Sequence, residues 1–238
     1  MSLQLKNFHV IVTGGTGGLG MTVVSEYIRQ EATVVTNYRD PAKMKALEDA
    51  VRNPERLTGI QADLTSEKEV HSFFQEYRRK FKRLDVLVHT LGGFWMGAEI
   101  ADTSLEKWIM MQNLNLTSTF LCTREAFGMM KSQCSGKIFT VASQTIENYP
   151  GKMGAYAVSK TGVMALTRIL ANEGKSYNIQ ANCLVPSIID TEENRKAMPD
   201  ADYTQWVTPK EIAQLFIQLS KPESKALSQS VLRVYGKV

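Results

Sequence analysis

Thr13-Gly14-Gly15-Thr16-Gly17-Gly18-Leu19-Gly20 follows an apolar run, Phe8–Val12, and leads into Met21, Val24, Tyr27 and Ile28 at helical spacing. A second β-rich run, Thr33–Thr36, comes next, so the first 36 residues read as strand, helix, strand. Glycines are needed at such a junction if a pyrophosphate is to approach bare backbone at a helix N-terminus. They also permit positive φ and let the helix pack closely on the strand. A glycine run alone also describes a flexible turn; the strand before it and the helix after it favour the phosphate cradle.

The alternation continues to the end of the chain. Asp40-Pro41 reads as an N-cap with proline at the first helical position, ahead of Met44, Leu47 and Val51. Leu57–Ala62 reads as a strand. Ser66 and Glu69 then form a capping box before Val70, Phe73, Phe74, Tyr77 and Phe81, which share one helix face. Leu84–Thr90 is almost uninterruptedly apolar, as a parallel strand covered on both faces should be. Thr103 and Glu106 predict a further capping box, opening a long helix through Trp108, Asn115 and Phe120 toward Met130. Lys137–Val141 and Ile179–Val185 read as strands around a helix running from about Ala155 to Glu173. Thr208-Pro209-Lys210-Glu211 caps a helix carrying Ile212, Leu215, Phe216 and Leu219, and Val231–Val234 closes as a strand. Seven strands and six helices predict one α/β domain over residues 1–238, a three-layer, mostly parallel, doubly wound sheet flanked by helices.

Composition limits the function. A chain of 238 residues can bury roughly 70–75% of its unfolded surface in one core, and its 16 Gly and 7 Pro are too few for a fibrous or disordered protein. Cys122, Cys134 and Cys183 are an odd number without CxxC spacing, and His9, His71 and His89 are scattered, so neither a disulfide framework nor a metal site is expected. The net charge is only +4, and the cluster Arg78-Arg79-Lys80 with Lys82-Arg83 falls at a helix end, where it complements the dipole rather than forming a nucleic-acid patch. No apolar run is long enough for a membrane span, and MSLQLKNFHV lacks a signal peptide's order, so the expected location is the cytoplasm.

Tyr156 and Lys160 are four residues apart, on one face of a predicted helix, and Ser143 follows a strand thirteen residues before Tyr156. A free phenol is a poor base at neutral pH; a neighbouring ammonium favours its phenolate. YxxxK is common by accident, and the serine and the glycine loop make an accident improbable here.

With TGxxxGxG (Thr13, Gly14, Gly18, Gly20), Asp63 after the third strand, Asn115 in the long helix, Ser143 and Tyr156-x-x-x-Lys160 in order, nearly the whole chain resembles the short-chain dehydrogenase/reductase family. The resemblance implies a Rossmann-like fold and NAD(P)-dependent hydride transfer between nicotinamide and a small-molecule carbonyl or alcohol. In it Tyr156 is the general acid/base and Ser143 orients the oxygen. Lys160 lowers the tyrosine pKa and holds the ribose, and Asn115 holds a water linking Lys160 to solvent. It also implies cofactor contacts from Thr13, Gly14, Thr16, Gly18, Leu19, Gly20, Tyr38, Arg39, Asp63, Leu64, Leu91, Gly92, Tyr156, Lys160, Pro186, Ile189 and Thr191, and a homotetramer or homodimer built on the helices around residues 104–130 and 155–173. Two departures stand out: His89-Thr90-Leu91-Gly92 replaces the family's Asn-Asn-Ala-Gly, with His89 read as a structural brace, and Pro186-Ser187 replaces Pro-Gly.

Tyr38 stands where NAD-preferring members carry an acid, and Arg39 where NADP-preferring members carry a base, so NADP is expected over NAD. Against this, Asp40 follows one step on, and Gly17 replaces a frequent second basic residue. Substrate-facing loops are 92–96, 144–149 and 187–206. From them Phe94, Trp95, Ser143, Thr145 and Tyr149 are candidates for a pocket; the aromatics either line it or pack against loops. Residues 189–206 look like the same region of dihydropteridine reductase, so a quinonoid pterin reductase is one alternative. A catalytically silent nucleotide sensor or scaffold is another, against which the retained Asn115, Ser143, Tyr156 and Lys160 argue.

Overall fold

Strands His9–Thr13 (β1), Thr33–Tyr38 (β2), Leu57–Gln61 (β3), Val86–His89 (β4), Gly136–Val141 (β5), Ile179–Pro186 (β6) and Val231–Val234 (β7) form one sheet in the computed structural model, which describes residues 5–237. Its order is β3-β2-β1-β4-β5-β6-β7, and every neighbouring pair is parallel, where the sequence predicts a mostly parallel sheet. The chain enters at the middle and winds outward both ways, so β1 and β4 are neighbours and their carboxyl ends flank the crevice where such sheets bind ligands.

Period-two alternation sends adjacent residues to opposite layers. Val10 and Val12 pack with Val23, Val24, Tyr27 and Ile28 of Gly18–Arg29 (α1) and with Ile212 and Phe216 near the chain's end. Ile11, between them, packs with Phe73, Phe74 and Tyr77 on the other side. The remaining helices are Pro41–Ala50 (α2), Glu67–Lys80 (α3), Leu105–Met111 (α4), Ser118–Gln133 (α5), Thr145–Asn148 (α6), Gly154–Gly174 (α7), Glu192–Ala197 (α8) and Pro209–Ser220 (α9).

Six helices were expected, and nine are found among the described residues. The long fourth helix is interrupted by a π-helical segment, Gln112–Thr117, while α6 and α8 are short helices in segments read as loops. Two capping expectations are corrected. Ser104, not Thr103, caps α4 through Lys107 N, because the Thr103 hydroxyl donates to Glu99 O. Ser66 accepts from Glu69 N, but the Glu69 carboxylate accepts from Asp63 N instead of closing the box. The Thr208–Glu211 box is complete. β4 is shorter than Leu84–Thr90; Asp85 precedes it and ties down the amino end of β1 by accepting from His9 N at 2.8 Å.

Candidate active site

The glycine loop leaves β1 at the crevice between β1 and β4. Gly14 has φ +72°, and a Cβ there would come within 2.9 Å of the Leu91 backbone, so both conformation and space exclude other residues. The loop is pinned to β2: Asn37 Oδ1 accepts from Gly14 N at 2.8 Å, and Thr36 Oγ1 accepts from Gly15 N at 3.1 Å. Asn37 Nδ2 donates onward to Ala62 O. Gly18, Leu19 and Gly20 form the first turn of α1, which has neither a side-chain cap nor an acidic residue, leaving its N–H groups and dipole to a ligand anion.

Beside the loop lies a cleft of about 530 Å³ lined by Gly14, Thr16, Gly17, Asn37, Tyr38, Arg39, Asp40, Lys43, Thr90, Leu91 and Gly92. Asp40, the reason for caution over NADP, spends its carboxylate on the N–H of Ala42 at 2.8 Å. Sequence reasoning missed Asn37, Thr90 and Lys43. Lys43 has the clearest signal: as the third helical residue after the Asp40 cap, it returns to the cleft beside Arg39. A bare backbone cradle, an uncapped helix N-terminus and two cations at the far rim fit a dinucleotide with an extra phosphate.

Not every expected contact is here. Leu64 has its side chain buried in the core layer with Phe73 and Phe74, which leaves only its backbone to face a ligand. Asp63 is also absent from the lining; it lies 3.8 Å from Arg39. Burial raises its pKa, but hydrogen bonds from Thr65 N and Oγ1, with Arg39, hold its carboxyl below the usual range. Thr13 is buried under the loop, its hydroxyl 2.8 Å from His89 Nδ1. The other His89 nitrogen faces Ser118 Oγ at 3.4 Å, which makes this histidine the strand brace expected of it. Burial, with Lys160 nearby, pushes its pKa down to about 3. On the far side Pro186 O accepts from Gln144 N, Ile189 pairs with Val207, and the Thr191 hydroxyl caps α8 through Asn194 N.

The second constellation gathers at the carboxyl ends of β4 and β5. Lys160 Nζ donates to Val141 O at 2.9 Å. A Cβ on Gly92, a cleft residue, would meet Asn115 Oδ1 at 2.9 Å and Lys160 Nζ at 3.1 Å, so both tips reach the cleft wall. Asn115 sits in the π-helical segment, whose extra residue redirects it. Its Oδ1 accepts from Gly93 N at 2.8 Å and its Nδ2 donates to Ser159 Oγ at 2.9 Å, bracing the 92–93 loop against α7. Ser143 faces the Tyr156 phenol. Burial pushes that phenol's pKa up, and its hydrogen bond with Ser143 pulls it down. Burial pushes Lys160 down to about 8.

Of the pocket candidates, Phe94 packs edge-on against Tyr156 with ring centroids 4.9 Å apart. Trp95 is half-buried against Met111, Ala155 and Tyr156, so it is wall rather than open lining. Tyr149 is exposed, and Thr145 holds a buried hydroxyl without a partner among the described residues while its N–H donates to Ser143 Oγ at 3.4 Å.

Residues 8–202 match the family model described as short chain dehydrogenase. This chain therefore belongs to the short-chain dehydrogenase family and is an NAD(P)-dependent oxidoreductase. Among its relatives are the glucose 1-dehydrogenase 2 of Bacillus subtilis, 27% identical over 99% of this chain and 96% of that one, and the 3alpha-hydroxysteroid dehydrogenase of Mediterraneibacter gnavus, 28% identical over 99% and 98%. The NADP-bound structure of ElxO superposes with a TM-score of 0.90 at 24% identity, covering 97% of this chain and 98% of that one, a likeness of fold. No helix among the described residues is long and apolar enough to cross a membrane.

Proposed function

We propose that this chain reduces the carbonyl of a small molecule, or oxidises the matching alcohol, with Tyr156 giving or taking the proton. What supports the reading is Ser143 beside the Tyr156 phenol, with Lys160 four residues further along α7 and its tip at the wall of the cleft that opens on the glycine loop. When bound, the nicotinamide supplies or accepts the hydride. In the reducing direction the Tyr156 hydroxyl protonates the carbonyl oxygen as negative charge develops there, and the Ser143 hydroxyl donates a hydrogen bond to the same oxygen. With a pKa near 8, Lys160 is charged at pH 7 and favours the phenolate that reduction leaves. Asn115 acts as a positioning residue, holding the 92–93 loop and α7 in register. Phe94, Thr145 and Tyr149 bound the substrate.

Thr13, Gly14, Thr16, Gly18, Leu19, Gly20, Leu91 and Gly92 serve the dinucleotide, and Pro186, Ile189 and Thr191 close on it. NADP is preferred: Tyr38 offers no carboxylate to a ribose hydroxyl, while Arg39 and Lys43 offer two cations to a 2′-phosphate. The chain works as one unit over residues 1–238, in the cytoplasm, as a homotetramer or homodimer. A screen of ketones, quinones, acyl thioesters and quinonoid pterins with NADPH and NADH tests the reading. Turnover of a ketone, quinone or acyl thioester with NADPH is expected. Tight cofactor binding without any turnover would contradict it in favour of a sensor, and turnover of quinonoid pterins alone in favour of a pterin reductase.

A further inference from the structure

The segment after β6 is braced in place over the glycine loop. Ile189 bridges to Val207, Asn194 Nδ2 donates to Ile189 O at 2.8 Å, and Arg195 grips Asp190. This arrangement brings α8 down on the first residue of α1: a Cβ placed on Gly18 would stand 2.9 Å from Cβ and Cγ2 of Thr191 and 2.9 Å from Oε2 of Glu193. The neighbouring acids Glu192 and Asp190 are matched, Glu192 with Lys196 at 2.6 Å and Asp190 with Arg195. Glu193 has no basic partner within ion-pair distance among the described residues. Its carboxylate lies against the start of α1, which has neither a side-chain cap nor an acid in its first turn and which the glycine loop offers to the dinucleotide's diphosphate.

We propose that Glu193 is a positioning residue that limits cofactor affinity, an internal anion set against the diphosphate subsite. In the free protein the carboxylate complements the positive end of α1. A diphosphate at that end brings two negative charges toward a third, so the cofactor binds there at an electrostatic cost that Glu193 imposes. The cost weakens the hold on both cofactor redox states and so favours their exchange. The inference rests on the dinucleotide reading above.

Titrating NADPH against the tryptophan fluorescence of wild type, E193Q and E193A tests it, with 2′-AMP, which lacks the diphosphate, as the control ligand. Both variants should bind NADPH about fivefold more tightly than wild type, and 2′-AMP unchanged. NADPH binding that is equal or weaker in E193Q overturns the proposal, as does an equal gain for 2′-AMP, which would reveal a general change in the site rather than an effect on the diphosphate. A wild-type protein that binds neither NADPH nor NADH overturns the dinucleotide reading itself, a result separate from either of these.

Discussion

Arg39 and Lys43 show what single residues reveal before and after folding. Arg39 is legible from its place at the end of β2. Lys43 needs one step more, because it is the turn of α2 after the Asp40 cap that returns it to the same cleft. Leu64 shows the other side: a position carried over by resemblance says nothing about its side chain, which the core takes. If the two cations hold a 2′-phosphate, Arg39→Ala and Lys43→Ala should each weaken NADPH binding about tenfold, the worth of one charge-assisted contact, and leave NADH binding within about twofold. Fluorescence titration of both cofactors reads this directly. A wild-type preference for NADH would contradict the assignment.

Among the elements, strands and caps were the most legible parts because they are written locally: Ser66, Asp40 and the Thr208–Glu211 box each cap the helix expected of them. The π-helical segment was invisible because its cause is tertiary. Gln112 Nε2 donates to Ala155 O at 3.1 Å, and Asn115 bonds to both the 92–93 loop and Ser159, contacts no periodicity encodes. The helices α6 and α8 are too short to carry a pattern. At the junction of β1 and β4, His89 carries a pH signature. With its pKa pushed down to about 3 by burial, the fold rejects a proton that the unfolded chain binds below its ordinary value of 6.5. Stability is therefore full above about pH 6.5 and falls as pH drops through that window, by about 2 kcal/mol at pH 5. His89→Asn removes the titrating group, so its urea midpoint should fall less between pH 7 and pH 5 than that of wild type. An equal fall would contradict a histidine buried neutral.

The whole molecule leaves apolar side chains uncovered on two helical faces. Leu105 and Ile109 of α4 are 70% and 46% exposed, and Phe120 of α5 is 44% exposed. Val158 and Ile169 of α7 are 46% and 53% exposed. Burying such faces between copies is the physical reason to expect an oligomer. Light scattering should give a dimeric or tetrameric mass, and Ile109→Asp with Ile169→Asp should lower it. A monomeric wild type would contradict the assembly. Fold and reaction type were legible at this scale because the glycine loop and the Ser-Tyr-Lys set span the sheet in order. Substrate identity was not, because it rests on loops whose exposed Phe94 and Tyr149 answer to shape rather than to pattern. The central claim is that Tyr156 moves the proton. It is tested by comparing Tyr156→Phe with wild type for NADPH binding and for turnover of a carbonyl substrate accepted in the screen. Binding should remain within about twofold while turnover falls by about 10²–10⁴; wild-type turnover in the phenylalanine variant would contradict the account.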